Sequence, residues 1–275
     1  MIAEAVTDSA FAVFQELLRC RTGFVLEDDK RYVVEMRLAP LMRRFELASF
    51  DQLTDRMRSG RSAVTEQMVI EALLNGETTF FRDVACFASL ENTVIPEIMR
   101  RRASTRRIRI WCAASSTGQE PYSIAMMLAS SFPQLEGWDV RILATDYSEL
   151  HLERARAGRY SQFEVNRGLP ARMLVQHFAQ EGNEWIISPD IRRRVEFAPM
   201  NLVGDWKVPE PVDLIMLRNV MIYWDPPTQR AVLGRVGEAI GRSGFLVLGG
   251  AETTYYIAPE YDRYGENGSC CFVLT

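Results

Sequence analysis

The chain is poor in the side chains that carry most nucleophilic and metal chemistry. It has two histidines, His151 and His177, and they lack ligand spacing, so no metal site is expected. Five cysteines (Cys20, Cys86, Cys112, Cys270, Cys271) are odd in number and form no CxxC pair. Neither a disulfide framework nor a zinc site is expected, and a reduced, cytoplasmic compartment fits. No apolar run approaches the ~18 residues that span a bilayer. The first residues, MIAEAVTDSA, lack the basic and apolar regions of a secretory signal. Positive charge is not in excess either. The net charge of −4 argues against a general nucleic-acid binder. Repeats and low-complexity runs are missing, as is any linker long enough to separate freely moving domains.

What is present changes character along the 275 residues. Residues 1–74 read only as helices. Asp8 caps a first helix carrying Phe11, Phe14, Leu17 and Leu18, with Gly23 near its end. A second spans 30–45 with Val34, Leu38, Leu41 and Phe45 on one face, kinked or interrupted at Pro40. Ser49 and Gln52 spell a capping box for a third, stopped by Gly60; a fourth runs from Ser62 to Leu74. From about 107 the pattern alternates. Strands are expected at 107–114, 139–145, 212–218, 244–249 and 270–275, with helices at 119–132, 149–157 and 226–240. That predicts a mostly parallel sheet with helices on both faces. Residues 160–200 break the alternation. A helix at 169–180, the turn Glu181-Gly182-Asn183 and β-like runs at 185–188 and 194–198 predict an inserted antiparallel unit.

The most informative stretch is WCAASSTGQEPYSIAMM (Trp111–Met127) with ATDYS (Ala144–Ser148). It reads as strand, small-residue turn, apolar helix, then a second strand ending in Asp146. In doubly wound folds ligands sit at the carboxyl ends of such strands, and an acid there can hold ribose hydroxyls. The turn contains one glycine, Gly118, where a dinucleotide fingerprint wants three. NAD and FAD are therefore disfavoured. A nucleoside without a pyrophosphate remains, and S-adenosylmethionine is the common case.

Five blocks in order resemble one family: ETTFFRD (Glu77–Asp83), the Trp111–Met127 stretch, ATDYSELHLERARAGRY (Ala144–Tyr160), VDLIMLRNVMIYWD (Val212–Asp225) and GFLVLGGAET (Gly244–Thr253). Together they look like the CheR family, the chemoreceptor glutamate methyltransferases of bacterial chemotaxis. The resemblance covers essentially the whole chain. It implies an α/β, Rossmann-like methyltransferase domain over 75–275, with a β-subdomain insertion at about 160–200, preceded by an all-helical receptor-binding domain over 1–74. It also implies methyl transfer from S-adenosylmethionine to receptor glutamates, giving glutamyl methyl esters and S-adenosylhomocysteine. A glutamate carboxylate, with a pKa of about 4.3, is already ionised at neutral pH and needs no general base. That suits a chain with two histidines and no nucleophile–base motif.

By this resemblance Asp146 holds the ribose hydroxyls; a helix cap is its structural alternative. Glu120 contacts the cofactor, although Thr117-x-x-Glu120 also has capping-box spacing. Thr78 and Arg82 lie at the cofactor. The Arg82 fork suits either the cofactor's methionyl carboxylate or the acceptor glutamate, and the plain alternative is a surface pair with Glu77 or Asp83. Asn201 and Leu202 flank the adenine, or form only a strand end with a turn Asn. Arg218 and Asn219 end a strand where ligands bind. Tyr223 sits beside the reacting methyl, or is an amphipathic Tyr at the core edge. Phe80 and Phe81 are assigned to packing. The family usually has Asn at position 76, where this chain has Gly76, and Phe where it has Trp224.

Between Lys30 and Arg61 eight Lys/Arg stand against four acids, and Lys30, Arg37 and Arg44 recur every seven residues. Such a stripe would steer toward the glutamates of the receptors' cytoplasmic helical bundle; a solvated helix face is the plain alternative. Some family members dock a receptor tail pentapeptide on a long glycine-rich loop. Here Gln180–Glu184 is short with one glycine, so tethering is not expected. Nucleic acid and membrane insertion are not expected. The competing function is a non-catalytic S-adenosylmethionine-binding regulator on the same fold.

Overall fold

A computed structural model describes residues 5–59, 62–208, 211–240, 243–265 and 270–275. The chain divides into two units: residues 1–75 with 223–225, and the remainder.

The first unit holds four helices: α1 (Asp8–Thr22), α2 (Arg31–Arg44), α3 (Phe50–Arg58) and α4 (Ser62–Leu73). Their apolar spacing buries Phe11, Phe14, Leu18, Val34, Leu38, Leu53 and Ile70. Thr7, not Asp8, caps α1, its hydroxyl accepting from the Ala10 N–H; Asp8 is the first helical residue. Gly23 ends the helix at φ 70°, as a C-cap should. Pro40 does not interrupt α2. Leu38, Leu41 and Met42 around it are buried, and that packing outweighs the local cost of the ring. Ser49 caps α3, but Gln52 reaches the Ala48 N–H rather than that of Ser49, so the reciprocal box is displaced by one residue. Gly60 and Arg61 lie outside the described residues. The segment Tyr223–Asp225 belongs to this unit. The Phe24 backbone bridges Trp224, and the Phe24 ring stacks on Tyr223 at 4.8 Å.

The second unit opens with α5 (Val84–Ser89), continued through a π-turn (Leu90–Val94) into α6 (Ile95–Arg102). There follow β1 (Arg107–Ala113), α7 (Gln119–Ser131), β2 (Asp139–Asp146), α8 (Glu149–Ala157), β3 (Arg159–Ser161), α9 (Gln162–Asn166), α10 (Ala171–His177), β4 (Phe178–Glu181), β5 (Glu184–Ile187), α11 (Pro189–Arg192), β6 (Val195–Pro199), β7 (Leu214–Leu217), α12 (Pro226–Ile240), β8 (Phe245–Leu248), β9 (Tyr261–Arg263) and β10 (Cys271–Leu274). The main sheet runs β6-β2-β1-β7-β8-β10-β9, parallel from β6 to β8, with β10 antiparallel to both neighbours. Central strands such as Leu214–Leu217 are apolar throughout because both faces are covered. The chain winds outward through β1, β2 and β6, then returns to place β7 on the other side of β1. That switch point is where doubly wound sheets open a crevice for ligands.

The insertion is smaller than its sequence pattern suggests. β3, β5 and β4 form an antiparallel sheet, joined between β4 and β5 by the two-residue turn Gly182-Asn183. The expected helix stops at His177, and residues 178–181 are strand. The 194–198 run is not part of this unit: β6 is the edge strand of the main sheet, parallel to β2. Alternation marks a strand but not which sheet receives it.

Candidate functional site

The β1–α7 turn is built from unusual backbone. Ala114 and Ser116 have φ of 60° and 50°, and Gly118 has 92°. Phe81, Asp83 and Asn219 also have positive φ. Five of the eight non-glycine residues of this kind among the described residues therefore lie in loops at the carboxyl edge of the sheet. Such strain persists only where surrounding contacts enforce it, and it clusters at functional sites.

Asp146 ends β2 and is 8% exposed. Its Oδ2 accepts from the Ser116 N–H at 2.8 Å and its Oδ1 from the Ser148 N–H at 2.9 Å. Ser148, not Asp146, caps α8. The aspartate is therefore not spent on a helix end. Each oxygen takes one backbone donor and retains acceptor capacity, which fits two ribose hydroxyls. The Met200 N–H donates to the Asp146 carbonyl at 2.9 Å, which brings the end of β6, and with it Asn201-Leu202, alongside. Asn201 Oδ1 accepts from the Val203 N–H, an Asx turn, while Leu202 is buried.

A second cluster spans the switch point. Arg218, just beyond β7, has a side chain 2% exposed. Its Nη1 donates to Glu120 Oε2 at 2.9 Å and its Nη2 to the Arg82 carbonyl at 2.9 Å. Its Nε–H is buried with no partner among the described residues. Burial raises the Glu120 carboxyl above its ordinary range, and Arg218 offsets this only in part. The Thr117–Glu120 capping box does not form. Gly118 takes the cap position, and the Thr117 hydroxyl bonds Gln119 Oε1 instead. Thr78 is half-buried in the adjoining loop. Arg82 is half-buried as well and donates to the Glu77 carbonyl at 3.1 Å, yet makes no ion pair among the described residues. The Glu77 carboxylate goes to Arg167 at 2.6 Å, which holds it below the usual range. Phe80 is fully buried, edge-on to Tyr160 and Phe178.

Two contributors had no local sequence signal. Glu252 lies in the loop after β8, and its carboxylate accepts from the N–H groups of Asn219, Val220, Met221, Ile222 and Gly249 at 2.7–3.3 Å. It shapes the turn that follows Arg218. His151, set aside at the sequence level because it lacks metal-ligand spacing, brings Nδ1 to 3.5 Å from Asp146 Oδ1.

In the helical unit, the Tyr223 hydroxyl accepts from Asn75 Nδ2 at 2.5 Å, so its own proton remains available for donation. The expected basic stripe is not uniform. Arg37 caps α4 through the Leu73 carbonyl at 2.7 Å, and Lys30 lies against Asp29 at 2.9 Å. Arg44 is exposed, with no side-chain hydrogen bond or ion pair among the described residues. No helix among the described residues is long and apolar enough to cross a membrane.

Comparison with known families agrees with this geometry. Residues 9–74 match the CheR methyltransferase all-alpha domain, and residues 76–261 match the CheR methyltransferase SAM binding domain. The chain is 34% identical to the chemotaxis protein methyltransferase of Vibrio parahaemolyticus over the full length of both. It is 34% identical to chemotaxis protein methyltransferase 1 of Pseudomonas aeruginosa over 94% of each. Against the chemotaxis protein methyltransferase of Escherichia coli the identity is 33%, over 95% of this chain and 90% of the other. The chain belongs to the CheR methyltransferase family and is an S-adenosylmethionine-dependent methyltransferase.

Proposed function

We propose that the chain methylates glutamate side chains on the cytoplasmic helical bundle of bacterial chemoreceptors, forming glutamyl methyl esters in chemotactic adaptation. The supporting observation is Arg82. The residue is half-buried, its carbonyl accepts from Arg218 of the Glu120–Arg218 pair, and its guanidinium makes no ion pair among the described residues, which suits it to a carboxylate. When bound, S-adenosylmethionine supplies an electrophilic methyl sulfonium. Asp146 holds the ribose side of the cofactor, and Asn201 and Leu202 hold the adenine side. Arg218 acts through Glu120, fixing that carboxylate in the first turn of α7. Thr78, Arg82 and Asn219 complete the binding edge of this unit; Tyr223, in the helical unit, keeps a hydroxyl proton that it can offer an acceptor carboxylate. No residue needs to remove a proton, because the acceptor is already an anion. With the cofactor bound, residues that position the acceptor against the methyl donor would supply up to roughly 7–11 kcal/mol of the barrier.

The helical unit docks the receptor. Arg44 is the stripe position best suited to steering, because Arg37 and Lys30 are already engaged. The two-residue β4–β5 turn supports action without tail-peptide tethering.

The test is transfer of label from methyl-labelled S-adenosylmethionine to chemoreceptor cytoplasmic fragments. Base-labile label, lost when the candidate glutamates become alanine, is the expected result. Cofactor binding with no transfer to any fragment points to a different methyl acceptor instead.

A further inference from the structure

Gly76 and His151 act as one unit beside Asp146. A Cβ on Gly76 would lie 2.4 Å from His151 Cε1 and 2.6 Å from Nε2, so the imidazole fills the volume of any side chain at 76. The φ of Gly76 is not positive; the crowding comes from the imidazole, which a side chain at 76 would have to displace. Gly76 is also tied to the turn that grips Asp146. Its carbonyl accepts from Ser116 Oγ at 2.6 Å, and the Ser116 N–H goes to Asp146 Oδ2.

His151 lies in the first turn of α8, its side chain 18% exposed, with Nδ1 toward Asp146 Oδ1. Its Nε2 has no hydrogen-bond partner among the described residues. A carboxylate at Nδ1 favours the tautomer with the proton on that nitrogen, leaving Nε2 an acceptor. A hydroxyl, which both donates and accepts, satisfies Nε2 in either protonation state.

We propose that His151 is a cofactor-binding residue whose Nε2 bonds a ribose hydroxyl of S-adenosylmethionine, and that Gly76 is what admits the ring. This rests on the assignment of Asp146 to the ribose.

The test is calorimetric titration of the full chain with S-adenosylhomocysteine, alongside thermal melting. His151→Ala should weaken binding about three- to tenfold, the worth of one hydrogen bond, with the melting temperature near that of wild type. His151→Gln should recover part of the loss. Gly76→Ala should weaken binding similarly, and Gly76→Ala/His151→Ala should be no worse than His151→Ala alone. Unchanged affinity in His151→Ala, no recovery in His151→Gln, or additive losses in the double variant each overturn the proposal. Asp146→Ala in the same series separates the two readings. If it loses affinity while His151→Ala does not, only the His151 role falls. If Asp146→Ala binds normally, both fall.

Discussion

Strand β2 begins and ends on an aspartate, and the two are treated differently. Asp139, at the entry, is ringed by guanidinium groups: Arg109 at 2.6 Å, Arg141 at 3.2 Å and Arg107 at 3.7 Å. These, Arg109 foremost, hold its carboxyl below the usual range. Asp146, at the exit, forms no ion pair with arginine among the described residues and takes one backbone N–H on each oxygen. An acid saturated by protein cations has its charge spent on the fold; one left with acceptor capacity can still take a ligand's donors. β7 repeats the contrast. Before it, Asp213 is closed by Arg102 at 2.5 Å and by the Arg109 N–H at 2.7 Å. After it, Arg218 pairs with Glu120 and bonds the carbonyl of Arg82, whose guanidinium makes no ion pair among the described residues. The acids at the amino edge of the sheet close on protein cations, whereas at the carboxyl edge Asp146 and Arg82 keep hydrogen-bonding capacity for a ligand.

Substitutions can break that contrast. The largest effect is expected from Arg218→Met, which leaves Glu120 nearly buried without its cation. Denaturant unfolding should show a loss of about 3–5 kcal/mol, and adding Glu120→Leu should restore most of it. Next is Asp146→Asn. S-adenosylhomocysteine affinity by calorimetry should fall about 10- to 100-fold, since charge-assisted hydrogen bonds are worth about 1.5–3 kcal/mol each. Glu252→Gln turns an amide NH2 toward backbone N–H groups and should cost about 1–3 kcal/mol of unfolding free energy.

The smallest effect is expected from Asp139→Asn, which should leave cofactor affinity unchanged. Its folded pKa lies below the unfolded value. Its contribution to stability is thus present above pH about 4 and lost as pH falls through the folded pKa. The Asn variant should flatten that acid limb in melts followed against pH.

The sequence made the periodic parts legible. β1, α7, β2, α8 and α12 fall where alternation and helical spacing put them, because burial on a sheet imposes those periods. Asp146 was legible for the same reason: strand, turn and helix place an acid at a predictable tip. The rest depends on contacts between distant residues. The Glu120–Arg218 pair closes across 98 positions, and no local pattern announces it. Glu252 gathers five backbone donors from two loops, which only the fold brings together. The Gly76–His151 fit is likewise invisible until α8 is packed. Helix 84–102 went unread between two better-patterned regions, and β6 was misassigned because pairing partner is not a local property.

A crystal structure with S-adenosylhomocysteine bound tests the central contrast most directly. The account predicts the ribose hydroxyls on the Asp146 carboxylate, with Asp139 still enclosed by its arginines. A ribose held elsewhere, with Asp146 contacted only by Ser116, Ser148 and His151, would contradict it.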